Sequence, residues 1–305
     1  MSSQHNSISP PPLVSVLMNC YNGEKFLNQA IDSVISQSYQ NWELIFWDNQ
    51  SEDESAEIFK KHVDSRLKYY YAPKHTLLYE ARNYALEHVR GELIAFLDVD
   101  DCWLPYKLEF QVELFKNQNV GLACSNFFIE NQTKGKRWVA HNNNMPQGMV
   151  LDHLLQDYYV GLLTLMVRRS ILSELRTTFN NNYHIIGDFD LVIRLSSRWE
   201  MAVIHNPLAV YKIHGGNETS KHRERAVMEL EAWYEEQAMH PIIASSSNFV
   251  KFSKTITYRK VVNSLLAGRR LLAFKHILDL PLGRIKFVLF ASVFLPTSFL
   301  KRFKN

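Results

Sequence analysis

Cysteine is scarce here: Cys20, Cys102 and Cys124 are the only three in 305 residues, and their spacing fits neither a metal-ligand motif nor a disulfide framework. That usage suits a reducing, cytosolic compartment. The first twelve residues, MSSQHNSISPPP, lack the apolar core of a signal peptide and read as a disordered lead-in. No repeat of solenoid period occurs. Nor is there a helix-turn-helix, zinc-finger or RNA-recognition signature, so no nucleic acid is expected as a partner. What remains is ordinary for a folded chain, 46% apolar and 21% charged, long enough for one large domain with an appendage or for two small ones.

The net charge of +3 conceals an asymmetry. Residues 1–220 carry 19 Lys/Arg against 25 Asp/Glu, residues 221–305 carry 15 against 6, and beyond residue 240 twelve basic side chains face one acid, Asp279. A basic tail on an acidic body calls for a polyanionic surface, either membrane or nucleic acid.

Hydrophobic periodicity predicts strands at Leu13–Met18, Trp42–Trp47, Leu67–Tyr71 and Leu93–Leu97, with helices at Glu24–Gln37, Ser51 to about His62, and Tyr79–Val89 between them. Ser51 with Glu54 three residues on has the form of a capping box. Four strand–helix alternations imply right-handed crossovers and an α/β fold with a mainly parallel central sheet flanked by helices. Further on, Pro105 can open a helix to about Lys116, and Val120–Glu130 reads as a long strand. Asn131–Gln147 reads as a polar loop or hairpin, Met149–Gln156 as a helix, and Leu162–Val167, Met201–Ile204 and Leu208–Ile213 as strands.

The fourth predicted strand ends in Asp98-Val99-Asp100-Asp101. Ligands of open α/β sheets bind outside the C-terminal ends of the strands. Three carboxylates crowded there repel unless a cation lies between them, and oxygen ligands suit Mg²⁺ or Mn²⁺ bridging to substrate phosphates. The competing reading is an acidic turn that caps the next helix.

Five stretches stand in order: V-S-V-L-x-x-x-Y-N-G, W-E-L-I-x-x-D-x-x-S-x-D, A-R-N-Y-A-L, G-E-L-I-A-F-L-D-x-D-D and G-D-F-D-L-x-I-R-L. Together they resemble the family 2 inverting glycosyltransferases of the GT-A fold, over about two thirds of the chain (residues 13–220). The resemblance implies a nucleotide-sugar donor, with Tyr21 and Asp48 at the nucleobase, Asn22 and Arg82 on the nucleotide and Asp98 toward the ribose. It also implies Asp100 on a divalent metal (Mn²⁺ or Mg²⁺) and Asp188 as general base toward the acceptor hydroxyl. His214 is a looser match for a metal or diphosphate contact, and Asp101 and Trp103 are candidates for acceptor or diphosphate contacts. The pattern departs at Asn19-Cys20 (usually Pro-Thr), at Asp48-Asn49-Gln50-Ser51 (commonly Asp-Asp-Gly-Ser) and at Gly187-Asp188 (often Glu-Asp), which leaves base and sugar open. Asp188 also reads as a carboxylate favoured by a helix N-terminus, and His214 as a hydrogen-bonded loop histidine. The implied role is elongation of a lipid-linked or surface glycan.

Residues 221–305 read as a basic helical extension, with a helix over 221–240, a linker at 244–248 and two helices broken near Gly268. Phe287–Pro296 is apolar, flanked by Arg284 and Lys286 before it and by Lys301, Arg302 and Lys304 after it. That run is too short to span a bilayer. Segment 281–305 is therefore expected to lie in an anionic membrane surface at the cytoplasmic face; packing against its own domain is the competing expectation. Three rival functions remain. A sugar nucleotidyltransferase would open with a Gly-rich basic loop, of which Asn22-Gly23-Glu24-Lys25 is a poor version; a nucleic-acid binder would use the tail; a non-catalytic module would lack the carboxylates.

Overall fold

The seven residues Val14–Cys20 are all buried, so strand β1 is covered on both faces and belongs inside a sheet. The computed structural model describes residues 10–215, 217 and 221–302. After β1 come α1 (Glu24–Ile35), β2 (Trp42–Asp48), α2 (Ser55–Lys61), β3 (Leu67–Tyr71), α3 (Leu78–Leu86) and β4 (Leu93–Phe96). β1 pairs in parallel with β2 on one side and β4 on the other, and β3 extends from β2. Leu27, Ala30, Ile31 and Val34 turn the apolar face of α1 onto the core beside Val16, Met18, Leu44 and Phe46.

Gly91 shows why this register needs a particular residue. A Cβ there would lie 2.6 Å from both Leu13 O and Ser15 N. The Gly91 N–H instead donates to Ser15 Oγ, which donates to the buried Glu43 carboxylate (2.6 Å), and Arg90 N–H satisfies the same carboxylate. A polar clasp thus fixes the start of β4 against β1 and β2.

Beyond β4 the sheet becomes mixed. The elements are β5 (Cys102–Trp103), α4 (Lys107–Leu114), β6 (Val120–Asn131), β7 (Lys136–Val139), α5 (Leu151–Gln156), β8 (Met166–Arg168), α6 (Arg169–Leu172), α7 (Gly187–Ser196) and β9 (Glu200–Ile213). The sheet order is β3-β2-β1-β4-β8-β6-β9-β5, with β7 forming a hairpin on β6. β8 runs antiparallel to β4 and β6, whereas β6 and β9 are parallel. The two strands expected at Met201–Ile204 and Leu208–Ile213 are one. Register shifts around Ser125 and Asn126 absorb His205 and Asn206 as a bulge, because the twelve-residue β6 holds both halves of β9.

The expected capping box does not form. Ser51 Oγ accepts from Asn22 N–H, and Ser51 N–H donates to Asp48, so α2 begins only at Ser55.

The chain divides into two compact units. The first comprises the described residues through 149, with 159–181 and 198–214, and contains the whole sheet; the second comprises 150–158, 182–197 and the described residues from 215 onward. In the second, α8 (Arg223–Gln237), α9 (Pro241–Ala244), α10 (Phe249–Leu266), α11 (Arg270–Leu278), α12 (Arg284–Ser292) and α13 (Thr297–Arg302) join α5 and α7. Gly268, at φ +75°, breaks α10 from α11 as expected.

Candidate active site

At the C-terminal edge of the parallel strands, two turns are sewn together. Asn22 and Gln50 are the described non-glycine residues with positive φ (54° and 66°), and they occupy the turns after β1 and β2. Five hydrogen bonds join these turns: Asn22 N to Ser51 Oγ, Glu52 N to Asn22 Oδ1, Gly23 N to Ser55 Oγ, Glu24 N to Asp53 Oδ2 and Glu54 N to Glu24 Oε2. Asn22, expected on the donor nucleotide, therefore spends its carboxamide oxygen on the neighbouring turn. The Tyr21 ring next to it is half exposed and tilts over His75 at 4.4 Å between centroids.

Asp48 is fully buried. Its Oδ1 accepts from Ser51 N–H (2.8 Å) and its Oδ2 from the Tyr69 hydroxyl (2.6 Å). Burial and then that bond to a carboxylate raise the Tyr69 pKa, keeping the hydroxyl a donor. Asn49 then anchors the next loop: its Nδ2 donates to Thr76 O, and its Oδ1 accepts from Thr76 N–H. A carboxylate could not donate there, which gives a physical reason for the departure at this position. His75, without a role in the sequence reading, is held against Asn49 O (2.9 Å) and lies under Tyr21.

The Asp98–Asp101 turn distributes its three carboxylates differently. Asp98, the most open, is ion-paired to Arg82, a 3% exposed residue of α3 whose guanidinium lies over the Tyr79 and Phe179 rings. Asp100 Oδ2 meets His214 Nε2 at 2.9 Å, and the His214 ring packs on Phe26 of α1. Burial, then the Asp98 charge, pushes the Asp100 pKa up, opposed by His214. Asp101 is 3% exposed and accepts from Lys212 N–H (3.0 Å); burial and its two acidic neighbours hold its pKa well above the usual carboxylate range.

Two expected contacts change in character. Asp101 faces inward to β9, and Trp103 lies in the core, its Nε1–H donating to Leu163 O (2.7 Å). Both side chains are less than 5% exposed. Lys212 was missed by the sequence reading. It is buried, and its Nζ donates to Gln29 Oε1 (2.7 Å) and contacts Cys102 Sγ (2.9 Å). The available signal was strand periodicity: Lys212 and His214 are two residues apart at the end of β9 and share a face.

Asp188 belongs to the second unit, in the first turn of α7 and partly buried. The turn in front of it is gripped by Glu229 of α8, whose carboxylate accepts N–H bonds from His184, Ile185 and Ile186 (2.9, 2.8 and 3.2 Å). Asp190, on the same helix, is buried and accepts from Arg194 Nε and Trp233 Nε1. Among the described residues no group of three or more His, Cys, Asp or Glu side chains is arranged to hold a metal.

The family model described as Glycosyl transferase family 2 matches residues 15–186, which include Tyr21, Arg82 and the aspartate turn and stop just short of Asp188. The chain is 34% identical over 168 residues to the UDP-Glc:alpha-D-GlcNAc-diphosphoundecaprenol beta-1,3-glucosyltransferase WfgD of Escherichia coli, spanning 55% of this chain and 64% of that protein. Among solved structures it is similar to S. aureus TarS 1-349 in complex with UDP (TM-score 0.55, 14% identity, 86% of this chain and 88% of that one). It is likewise similar to the mannosyltransferase PcManGT from Pyrobaculum calidifontis in complex with GDP-Man and Mn²⁺ (TM-score 0.57, 15% identity, 93% of this chain and 86% of that one). At these identities the structural likeness is one of fold alone.

Proposed function

The chain belongs to glycosyl transferase family 2, and from that premise we propose that it transfers a sugar, with inversion, from a nucleoside-diphosphate donor to a hydroxyl of a glycan or lipid-linked acceptor. The observation that carries this reading is the convergence of Tyr21, the Arg82–Asp98 pair and the Asp100–His214 pair at one edge of the parallel strands. The E. coli relative, named for a UDP-Glc donor and a diphosphoundecaprenol-linked acceptor, supports a donor and acceptor of those classes, and so a part in cell-surface polysaccharide synthesis.

In this reading the exposed Tyr21 face stacks on the nucleobase. Asp48 and Asn22 shape that pocket through the turns they hold, since the oxygens in question are already bonded. Arg82 orients Asp98 toward the ribose. Asp100 and His214 are the residues that would hold Mg²⁺ or Mn²⁺. They fit in chemistry, because a carboxylate crowded by Asp98 and an adjacent imidazole would supply two protein donors. When bound, the cation stabilises the departing diphosphate as a Lewis acid. As the acceptor oxygen bonds to the anomeric carbon, its proton passes to a general base. We assign that role to Asp188, on the G-D-F-D motif that opens α7.

The test is a panel of UDP-, GDP- and dTDP-sugars with Mn²⁺, Mg²⁺ or EDTA and a lipid-diphosphate-linked sugar as acceptor. Metal-dependent transfer from one donor, giving product of inverted configuration, is the expected result. Failure to bind any nucleotide sugar by calorimetry would overturn the reading.

A further inference from the structure

Helices α11 and α12 are built outside-in. Their inward side chains are few: Ala273 and Ile277 from α11 and Leu289 from α12, packed with Val261, Leu265, Leu280 and Val293 into a small core. Most of their large apolar side chains point to solvent. Leu271 is 85% exposed, Phe287 67%, Ile285 65% and Val288 59%, and Leu282 and Phe294, which flank α12, are 85% and 69% exposed. Scattered exposed leucines are ordinary, but a run of aromatic and aliphatic residues from 271 to 299 is a patch, and patches of this kind mark interaction sites. Leu271, Phe274 and Leu278 recur at helical spacing along one face of α11, so the patch begins ten residues before the segment singled out by its sequence.

Charge identifies the occupant. The same elements carry Arg270, Lys275, Arg284 and Lys286 against the single acid Asp279. An isologous contact between two copies would bring these cations together. A recess of about 280 Å³ is lined by Arg284 together with Tyr258, Ile285, Val288 and Leu289, which sets an arginine at an apolar groove. A phosphate joined to hydrocarbon matches that pairing. Among the described residues no helix is long and apolar enough to cross a membrane, so the segment suits the interface plane.

We infer that α11 and α12 form a preformed docking surface for an anionic phospholipid bilayer, with apolar side chains entering the headgroup boundary and Lys275 and Arg284 meeting lipid phosphate. The surface is folded before binding, because its own core holds the two helices with their apolar faces outward. Its purpose rests on the reading of a membrane-anchored acceptor. Its existence does not, since vesicle binding is measured with no donor present.

Deleting residues 281–305 is the wrong probe, because it would also strip Leu289 and Val293 from the core that supports α11. The experiment is flotation of the full chain with vesicles of phosphatidylcholine alone or mixed with phosphatidylglycerol. It compares the wild type with Leu271→Ser/Phe274→Ser, with Ile285→Ser/Phe287→Ser and with Lys275→Glu/Arg284→Glu. Melting curves and near-ultraviolet dichroism check that each variant keeps its fold. Binding to the anionic vesicles should fall about tenfold or more in every variant and weaken with salt in the wild type. Equal flotation of both serine pairs and the wild type overturns the proposal, as does wild-type binding indifferent to phosphatidylglycerol. A concentration-dependent dimer that the serine pairs convert to monomer also overturns it, in favour of a second copy as the occupant.

Discussion

The edge of the sheet and the C-terminal helices depart from the usual partition of side chains in opposite directions. At the edge, Asp48, Asp101, Arg82 and Lys212 are all less than 5% exposed. On α11 and α12, leucines and phenylalanines stand in solvent while alanine and a few aliphatics are covered. Every buried charge at the edge has a bonded partner on another element: Tyr69 for Asp48, Asp98 for Arg82, Gln29 for Lys212 and the Lys212 N–H for Asp101. Burying charge is tolerable on that condition. Exposed apolar surface meets no comparable penalty within the chain, and it is relieved when another phase covers it. One region is organised inward around chemistry and the other outward around a surface.

The largest expected effects would break that division if they failed. Asp100→Asn should lower transfer by about a thousandfold or more. It should not lower the melting temperature, because it relieves carboxylate crowding. Transfer assays and melting curves on the same preparation check both halves, and Ile285→Ser/Phe287→Ser should leave donor hydrolysis in detergent unchanged. Asp188→Asn should cut turnover by about 10²-fold or more while donor affinity, read by calorimetry, holds. An equal loss of donor binding would reassign Asp188 as a donor ligand.

Stability experiments sharpen the inward half of the comparison. Asp48→Ala leaves the half-buried Ser51 N–H and Tyr69 hydroxyl without their acceptor, so urea unfolding should show a loss of about 2 kcal/mol. Gly91→Ala drives a methyl group into Leu13 O and Ser15 N and should cost about 2 kcal/mol with the unfolding m-value unchanged.

The smallest effect concerns a buried charged side chain of α4 that lacks such a partner. Lys107 is fully buried over the Trp103 ring at 4.0 Å, and its Nζ has no hydrogen-bond acceptor among the described residues. Burial pushes its pKa well down. Between that depressed value and the unfolded value of about 10.4 the unfolded chain holds more protons, so stability rises with pH across this window. Lys107→Met should flatten that rise in melting temperature between neutral pH and pH 10. An unchanged slope would mean that Lys107 has an acceptor after all.

Local pattern alone was enough for β1, β2 and β4, for the stripe on α1 and for the aspartate turn, because apolar runs and their punctuation are written in consecutive residues. It was also enough for family membership, since five motifs keep their order whatever they touch. It could not show that Ser51 serves Asn22 instead of capping a helix, nor that one bulged strand replaces two; both depend on a partner element. Tertiary structure alone decided which carboxylate turns inward. Asp98 and Asp101 are close neighbours in one turn, yet one pairs with Arg82 of α3 and the other is taken by Lys212, 111 residues away. It likewise decided that the C-terminal apolar side chains stay outside, because the small core beneath α11 and α12 has room for Ala273, Ile277 and Leu289 but not for the residues between them. Composition counts hydrophobic groups; only packing assigns them a side.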